Sequence, residues 1–303
     1  DAGLNINYET TALKPYGSSI AHIMQQQGYK TRFFYGGFIS WQRLDSFAKN
    51  QGFDEIYGGG AMSAGTRTNE WGVDDKFLFN FILNKVDNET PSFNFILTTS
   101  NHPPFDLPLD ELGYHIKNEL PAPLKATKEE TVKVLGHLWY ADQQAGRFVR
   151  EAEKRLNTPL FAITGDHTAR LQIRFPGDSV AEQTAVPFIL YGPDVLNETA
   201  VKATAGSHID IVPTLVELSA ANDNYYSAFG QNMLQKQSPS IGLGWQYLIG
   251  ENFIANDAEG YGIFALADGA RPKSRPELKA ERTYYNALRA LSWQRIKKGK
   301  QLP

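Results

Sequence analysis

The chain has 303 residues, 42% hydrophobic and 12% aromatic with 21% charged, which supports a sizeable core and excludes a disordered polyelectrolyte. Its 30 Lys+Arg against 33 Asp+Glu give a net charge of -3 without a basic block, so the cationic footprint of a nucleic-acid binder is missing. With no cysteine, disulfides, a catalytic thiol and thiolate zinc sites are excluded, and any metal must be held by oxygen and imidazole.

In chain order, Ser18-Ser19 before Ile20, Ile23 and Met24, with Gly28 as a stop, predicts a short helix. The run Lys30 to Tyr35 predicts a strand ending at Gly36-Gly37, and Trp41 to Asn50 a second helix closed by Gly52. A short strand follows near Asp54 to Tyr57, and Asn69 is expected to cap a helix containing Asp74, Asp75, Phe77, Leu78, Phe81 and Ile82. Phe93 to Thr99 reads as a strand buried on both faces, with the loop Asn101-His-Pro-Pro-Phe105 at its carboxyl end. Thr127-x-x-Glu130 predicts a capping box for a long helix with Val132, Leu135, Trp139, Val149, Ala152 and Leu156 as its stripe. Pro159 to Thr164 and Val186 to Tyr191 read as two further buried strands, and His208 to about Ala220 as a helix.

The alternation predicts an α/β fold with a central, largely parallel sheet flanked by helices, over residues 1–228. After Gly230 the pattern turns Gly-rich and aromatic, including Gly262 to Ala267, and residues 276–299 predict a closing helix with Tyr284, Leu288, Leu291 and Trp293 on its apolar face. Residues 229–303 are therefore expected to form a smaller α+β subdomain with antiparallel strands. No run of about 18 apolar residues is present. The start at Asp1, without Met or leader, reads as a piece of a longer protein or a processed product.

Candidate chemistry sits at predicted strand ends, where α/β sheets bind ligands. In Gly165-Asp166-His167 a carboxylate and an imidazole can approach one divalent cation; the alternative is a loop Asp beside a surface His. His208 and Asp210 are two apart, and Asp210 reads as a helix cap while His208 stays open. His102 lies in a loop stiffened by Pro103 and Pro104. Arg43 can grip a phosphate or sulfate bidentately, and Trp41 can wall the pocket or belong to the core. His22, His115 and His137 read as structural histidines without partners.

The order Trp41-x-Arg43, Ser100-Asn-His102-x-Pro-Phe105, Thr164-Gly-Asp166-His167, Val186-Pro-Phe and Asp210-x-x-Pro-Thr-Leu215 resembles the lipoteichoic acid synthase-like branch of the sulfatase and alkaline phosphatase superfamily, over residues 18–220. The resemblance implies a domain on the extracytoplasmic face of a bacterial cytoplasmic membrane, in a protein with N-terminal transmembrane helices outside this chain. It implies Mn2+ or Mg2+ held by Asp166 and His167 together with an acidic residue and a Thr or Ser nucleophile. It also implies that Trp41, Arg43 and His102 bind a phosphoglycerol headgroup, with Arg43 and His102 serving catalysis. The implied reaction moves this group from a lipid donor to a glycan or lipid acceptor through a covalent Thr or Ser intermediate. A hydrolytic sulfatase or phosphodiesterase, and a non-catalytic domain binding anionic glycans, are the alternatives. Two departures stand out. Tyr35 and Gly37 occupy positions where the branch carries a His and an acidic residue, and no nucleophile motif precedes Ser18.

Overall fold

The run Lys-Thr-Arg-Phe-Phe-Tyr is rich in β-branched and aromatic side chains, and it forms strand β1 (Lys30–Tyr35) in the computed structural model of the protein. The structure describes residues 5–62, 69–114, 129–168, 180–196, 205–219, 226–235, 241–244, 247–251, 253–256, 263–265 and 278–298. The expected capping residue Thr127, His115, and Gly262, Leu266 and Ala267 at the two ends of the Gly262 to Ala267 stretch lie outside them.

Helix α1 (Ile20–Gln26) ends at Gly28, whose φ of 87° suits the left-handed turn that leads into β1. Strand β1 pairs in parallel with β2 (Glu55–Tyr57) and with β3 (Ser92–Leu97), in the order β2-β1-β3. Its two faces are covered differently. Phe34, fully buried, packs toward α3 (Asp75–Leu83) and α4 (Glu129–Glu153), while Phe33 and Tyr35 pack toward α2 (Leu44–Asn50) around Ala48. Across the β1–β2 pair, Lys30 and Arg32 grip Glu55 at 2.5 and 2.9 Å, and these contacts hold its carboxyl down to about 2.

Four expectations need correction. The segment from Trp41 to Asn50 is not one helix, because Gln42 and Arg43 take left-handed φ values of 46° and 58°; a 3-10 turn, Trp41–Arg43, precedes α2. Asp74, not Asn69, caps α3; the Asn69 side chain instead accepts the amides of Trp71 and Gly72 at 2.9 and 3.2 Å. Strand β3 borders its sheet, and Phe95 stacks on Phe33 at 5.5 Å yet remains 42% exposed. Helix α4 buries Gly136, His137, Tyr140, Phe148 and Ala152, sharing only Ala152 with the predicted stripe. The helix is turned so that His137 faces the loop after β3.

Strands β4 (Phe161–Thr164) and β5 (Phe188–Tyr191) exist, but they pair antiparallel in a two-stranded sheet and each is half exposed rather than buried. Phe161 still joins the cluster of Phe34, α3 and α4, so the same helices back both sheets. A short α5 (Val180–Thr184) precedes β5, and α6 (Ile211–Ser219) packs Val216 against Ile23 and Met24 of α1.

Strands β6 (Gly242–Leu243), β7 (Tyr247–Ile249), β8 (Phe253–Asn256) and β9 (Ile263–Ala265) form an antiparallel sheet in that order. Helix α7 (Lys279–Lys298) buries Tyr285 in the cluster of Ile241, Leu248, Phe253 and Leu278, while Leu291 and Trp293 stay 45% and 48% exposed. The far end of α7 returns to the start of the chain: Lys297 pairs with Glu9 at 2.8 Å, and the Thr11 hydroxyl donates to the Ile296 carbonyl. Among the described residues no helix is long and apolar enough to cross a membrane.

Candidate active site

The loops after β1 and β3 interlock with the segment leading into α3. Gly36 donates to Leu97 at 3.0 Å and accepts from Val73 at 2.9 Å, and the Thr99 hydroxyl donates to the Val73 carbonyl at 2.9 Å. Gly37 bridges Gly72, whose φ of 148° few L side chains adopt. A Cβ on Gly37 would lie 2.7 Å from the Trp71 carbonyl oxygen and 2.5 Å from the Tyr35 hydroxyl. Tyr35 is itself 5% exposed, and burial pushes its phenol upward. Positions 35 and 37 therefore serve packing between loops.

The loop carrying His102 is anchored by buried polar groups. Asp75, at the start of α3 and fully buried, accepts the amides of Thr99 and Ser100 at 3.1 and 3.0 Å, and its own amide donates to the Ser100 hydroxyl at 2.8 Å. Burial pushes its carboxyl up, and these hydrogen bonds oppose that shift; among the described residues its second carboxylate oxygen has no hydrogen-bond partner. His137, 1% exposed, donates from Nδ1 to the Ser100 carbonyl at 2.5 Å and accepts the Leu107 amide at Nε2 at 3.2 Å. A carbonyl only accepts and an amide only donates, so the two bonds select the Nδ1–H tautomer. His137 thus has partners, contrary to expectation. They lie 30 and 37 residues away, so local sequence could not reveal them.

On this anchored loop the His102 Nδ1–H donates to the Pro103 carbonyl at 2.8 Å. The ring lies 4.1 Å from that of Trp71, which meets Trp41 edge-on at 6.4 Å. Trp71 was missed by sequence reasoning, yet it joins two nominated residues. Trp41 is 45% exposed and so is not core. Arg43 sits two residues on, its guanidinium 5.5 Å from the Tyr8 ring, and Asn7 donates to the Gln42 carbonyl at 3.1 Å. Two consecutive left-handed residues thus hold Trp41 and Arg43 on an irregular turn, a conformation found at functional sites.

The turn after β4 is built more simply. The Asp166 carboxylate accepts the His167 amide at 2.9 Å and lies 3.5 Å from its Nε2, and the two side chains are 81% and 49% exposed. His208 donates from Nε2 to the Gly165 carbonyl at 2.8 Å, bringing a second imidazole to the same strand end. Asp210 accepts the amides of Ser207 and Gln231 at 2.7 and 2.9 Å and completes a capping box, as the capping alternative predicts. Oxygen and imidazole donors side by side on exposed residues fit a divalent cation, with Asp166 and His167 able to supply two ligands. Among the described residues no group of three His, Asp or Glu side chains is arranged to hold a metal.

Parallel strands with polar and aromatic groups at their carboxyl ends define a doubly wound α/β site. The chain belongs to the sulfatase family, whose model matches residues 2–221. Lipoteichoic acid synthase 1 of Bacillus subtilis (strain 168) is 24% identical over 245 residues, covering 76% of this chain and 37% of that protein. The lipoteichoic acid synthase LtaP of Listeria monocytogenes superposes with a TM-score of 0.77 at 20% identity, over 98% of this chain and 77% of that one. A protein of the alkaline phosphatase superfamily from Vibrio parahaemolyticus gives a TM-score of 0.65 at 18% identity, over 98% and 76%. These likenesses carry the fold. The chain spans between a third and two fifths of the length of its curated lipoteichoic acid synthase relative.

Proposed function

We propose that the chain is the extracytoplasmic catalytic domain of a metal-dependent phosphoryl-ester enzyme that transfers a phosphoglycerol-type group from a lipid donor to a glycan or lipid acceptor. Membership in the sulfatase family and kinship with lipoteichoic acid synthases support the class. The observation that carries the reading is the convergence of Trp41 and His102, through Trp71, on the loops beside the carboxyl ends of β1 and β3.

In this reading Arg43 binds the anionic phosphoryl oxygens bidentately, and Trp41 with His102 holds the headgroup. A Thr or Ser hydroxyl attacks phosphorus, the bond to the lipid alcohol breaks, and the acceptor hydroxyl then displaces the enzyme oxygen. His102 Nε2 moves the proton, taking it from the attacking hydroxyl and returning it to the leaving oxygen. Asp166 and His167 would hold Mn2+ or Mg2+, which when bound offsets negative charge and favours the ionised hydroxyl. The nucleophile and the acidic ligand come, in this proposal, from a part of the full-length protein outside residues 1–303.

The buried Tyr35 and spaceless Gly37 favour a second reading, in which the acceptor is water and the enzyme hydrolyses a phosphodiester or sulfate ester. The deciding assay uses the full-length protein with phosphatidylglycerol vesicles, Mn2+ or Mg2+, and separately an aryl sulfate. Diacylglycerol release that needs the metal and falls at least about a hundredfold in Arg43→Ala and His102→Ala is expected. Sulfate release without diacylglycerol release supports the hydrolase. No turnover of either, with glycerol phosphate still bound, leaves a binding domain.

A further inference from the structure

Trp71 belongs to none of the motifs that carry the family resemblance, yet the molecule spends several interactions on placing it. Asn69 holds the turn from both sides: its Oδ1 accepts the Trp71 and Gly72 amides, and its Nδ2 donates to Asp106 at 3.1 Å, tying the Trp71 turn to the loop of His102. Gly37 is without a side chain where one would meet the Trp71 carbonyl at 2.7 Å, so the β1 loop is shaped around the same turn. The indole then lies between Trp41 and His102, with ring separations of 6.4 and 4.1 Å. Trp71 is only partly buried and takes no part in any of the apolar core clusters.

We propose that Trp71 is a positioning residue of this pocket: it holds the imidazole of His102 against its indole and, with Trp41, presents a two-indole wall to the uncharged part of the transferred headgroup. This rests on the pocket assignment above. The polar contacts of Arg43 and His102 select the phosphoryl group, whereas the indole wall selects what is attached to it. With Tyr35 buried and Gly37 lacking a side chain, this wall replaces polar recognition on the β1 side. The pocket therefore favours a headgroup with an apolar face over one that needs hydrogen bonds from positions 35 and 37.

The role separates from simple packing by kinetics in the full-length enzyme with phosphatidylglycerol vesicles. An aromatic contact of this kind corresponds to roughly a three- to tenfold effect on binding. Trp71→Ala is expected to raise KM by about that factor while kcat falls less, and Trp71→Phe to recover most of the loss. Trp71→Leu, apolar but smaller and without a π face, is expected to behave like the Ala variant, and it carries the same comparison should Trp71→Ala fail to fold. Full recovery by Trp71→Leu, or an unchanged KM in Trp71→Ala, overturns the proposal. Arg43→Ala and His102→Ala run in the same assay keep the two levels apart. If neither alters turnover, the pocket assignment itself has failed; if both do and Trp71 does not matter, only this inference falls.

Discussion

The loop carrying His102 and the turn carrying Asp166 and His167 both follow a strand, but they are built on opposite terms. The first is fastened from below by two buried polar side chains, Asp75 and His137, that satisfy four backbone groups between Thr99 and Leu107. Among the described residues the second is held by the His208 bond to the Gly165 carbonyl and the Thr168 hydroxyl's bond to the Gln183 carbonyl, and its Asp166 side chain is 81% exposed. Under the proposed roles, a group that presents one ring atom to a ligand needs a rigid support, whereas two metal ligands can be ordered by the ion they would bind. The difference teaches that exposure at the second turn is compatible with function, and that the buried histidine under the first belongs to the site's foundations.

The sharpest way to break this comparison is to separate activity from stability at each turn. Asp166→Ala in the full-length protein is expected to lower metal-dependent turnover on the order of a thousandfold. Its melting temperature without metal should stay within about 1 °C, because a side chain this exposed contributes little to folding. Metal titration by calorimetry alongside turnover checks it; undiminished metal binding would refute the ligand role. His137→Ala is expected to do the reverse. Leaving the Leu107 amide and the Ser100 carbonyl buried without partners costs about 1–3 kcal/mol, read from denaturant unfolding, and amide exchange should quicken first between residues 99 and 107.

A smaller effect sharpens the contrast with a region remote from both turns. Glu55 is held at about 2 by Lys30 and Arg32, below its ordinary value of 4.5. Its contribution to stability is therefore fully present above about pH 4.5 and is lost as pH falls toward 2. Glu55→Gln should be less stable than the parent at pH 6, with the gap narrowing as pH falls below about 4.5 and closing only below about pH 2, in paired thermal melts. A constant difference across that range would show that the ion pair is not the cause.

What could be read in advance follows from the range over which each feature is determined. The bounds of β1 were legible because a dense β-branched and aromatic run between glycines has few alternatives. The break at Gln42 and Arg43 was not, since both are ordinary helix formers and their left-handed conformation goes with contacts to Asn7 and Tyr8 more than thirty residues away. Asn69 was read as a helix cap because Asn serves caps and turns through the same side-chain bond. The stripe of α4 was misplaced because His137, a polar residue, occupies its most buried line. Of the candidate site, Trp41, Arg43, His102, Asp166 and His167 were nominated through their ordered motifs, while Trp71, Asp75 and His137 make contacts that no local spacing announces.

The closing helix reaches the site from the far end of the chain. Through Lys297 with Glu9, and Ile296 with Thr11, α7 holds the opening turns whose Asn7 and Tyr8 brace Gln42 and Arg43. The family match stops at residue 221, so a trimmed version kept to that stretch would retain every nominated pocket residue and lose the strap behind the arginine. The natural unit for expression and assay is consequently wider than the unit of homology, and sequence drift in the last turn of α7 can shift the turn that carries Arg43, about 250 residues upstream in the chain.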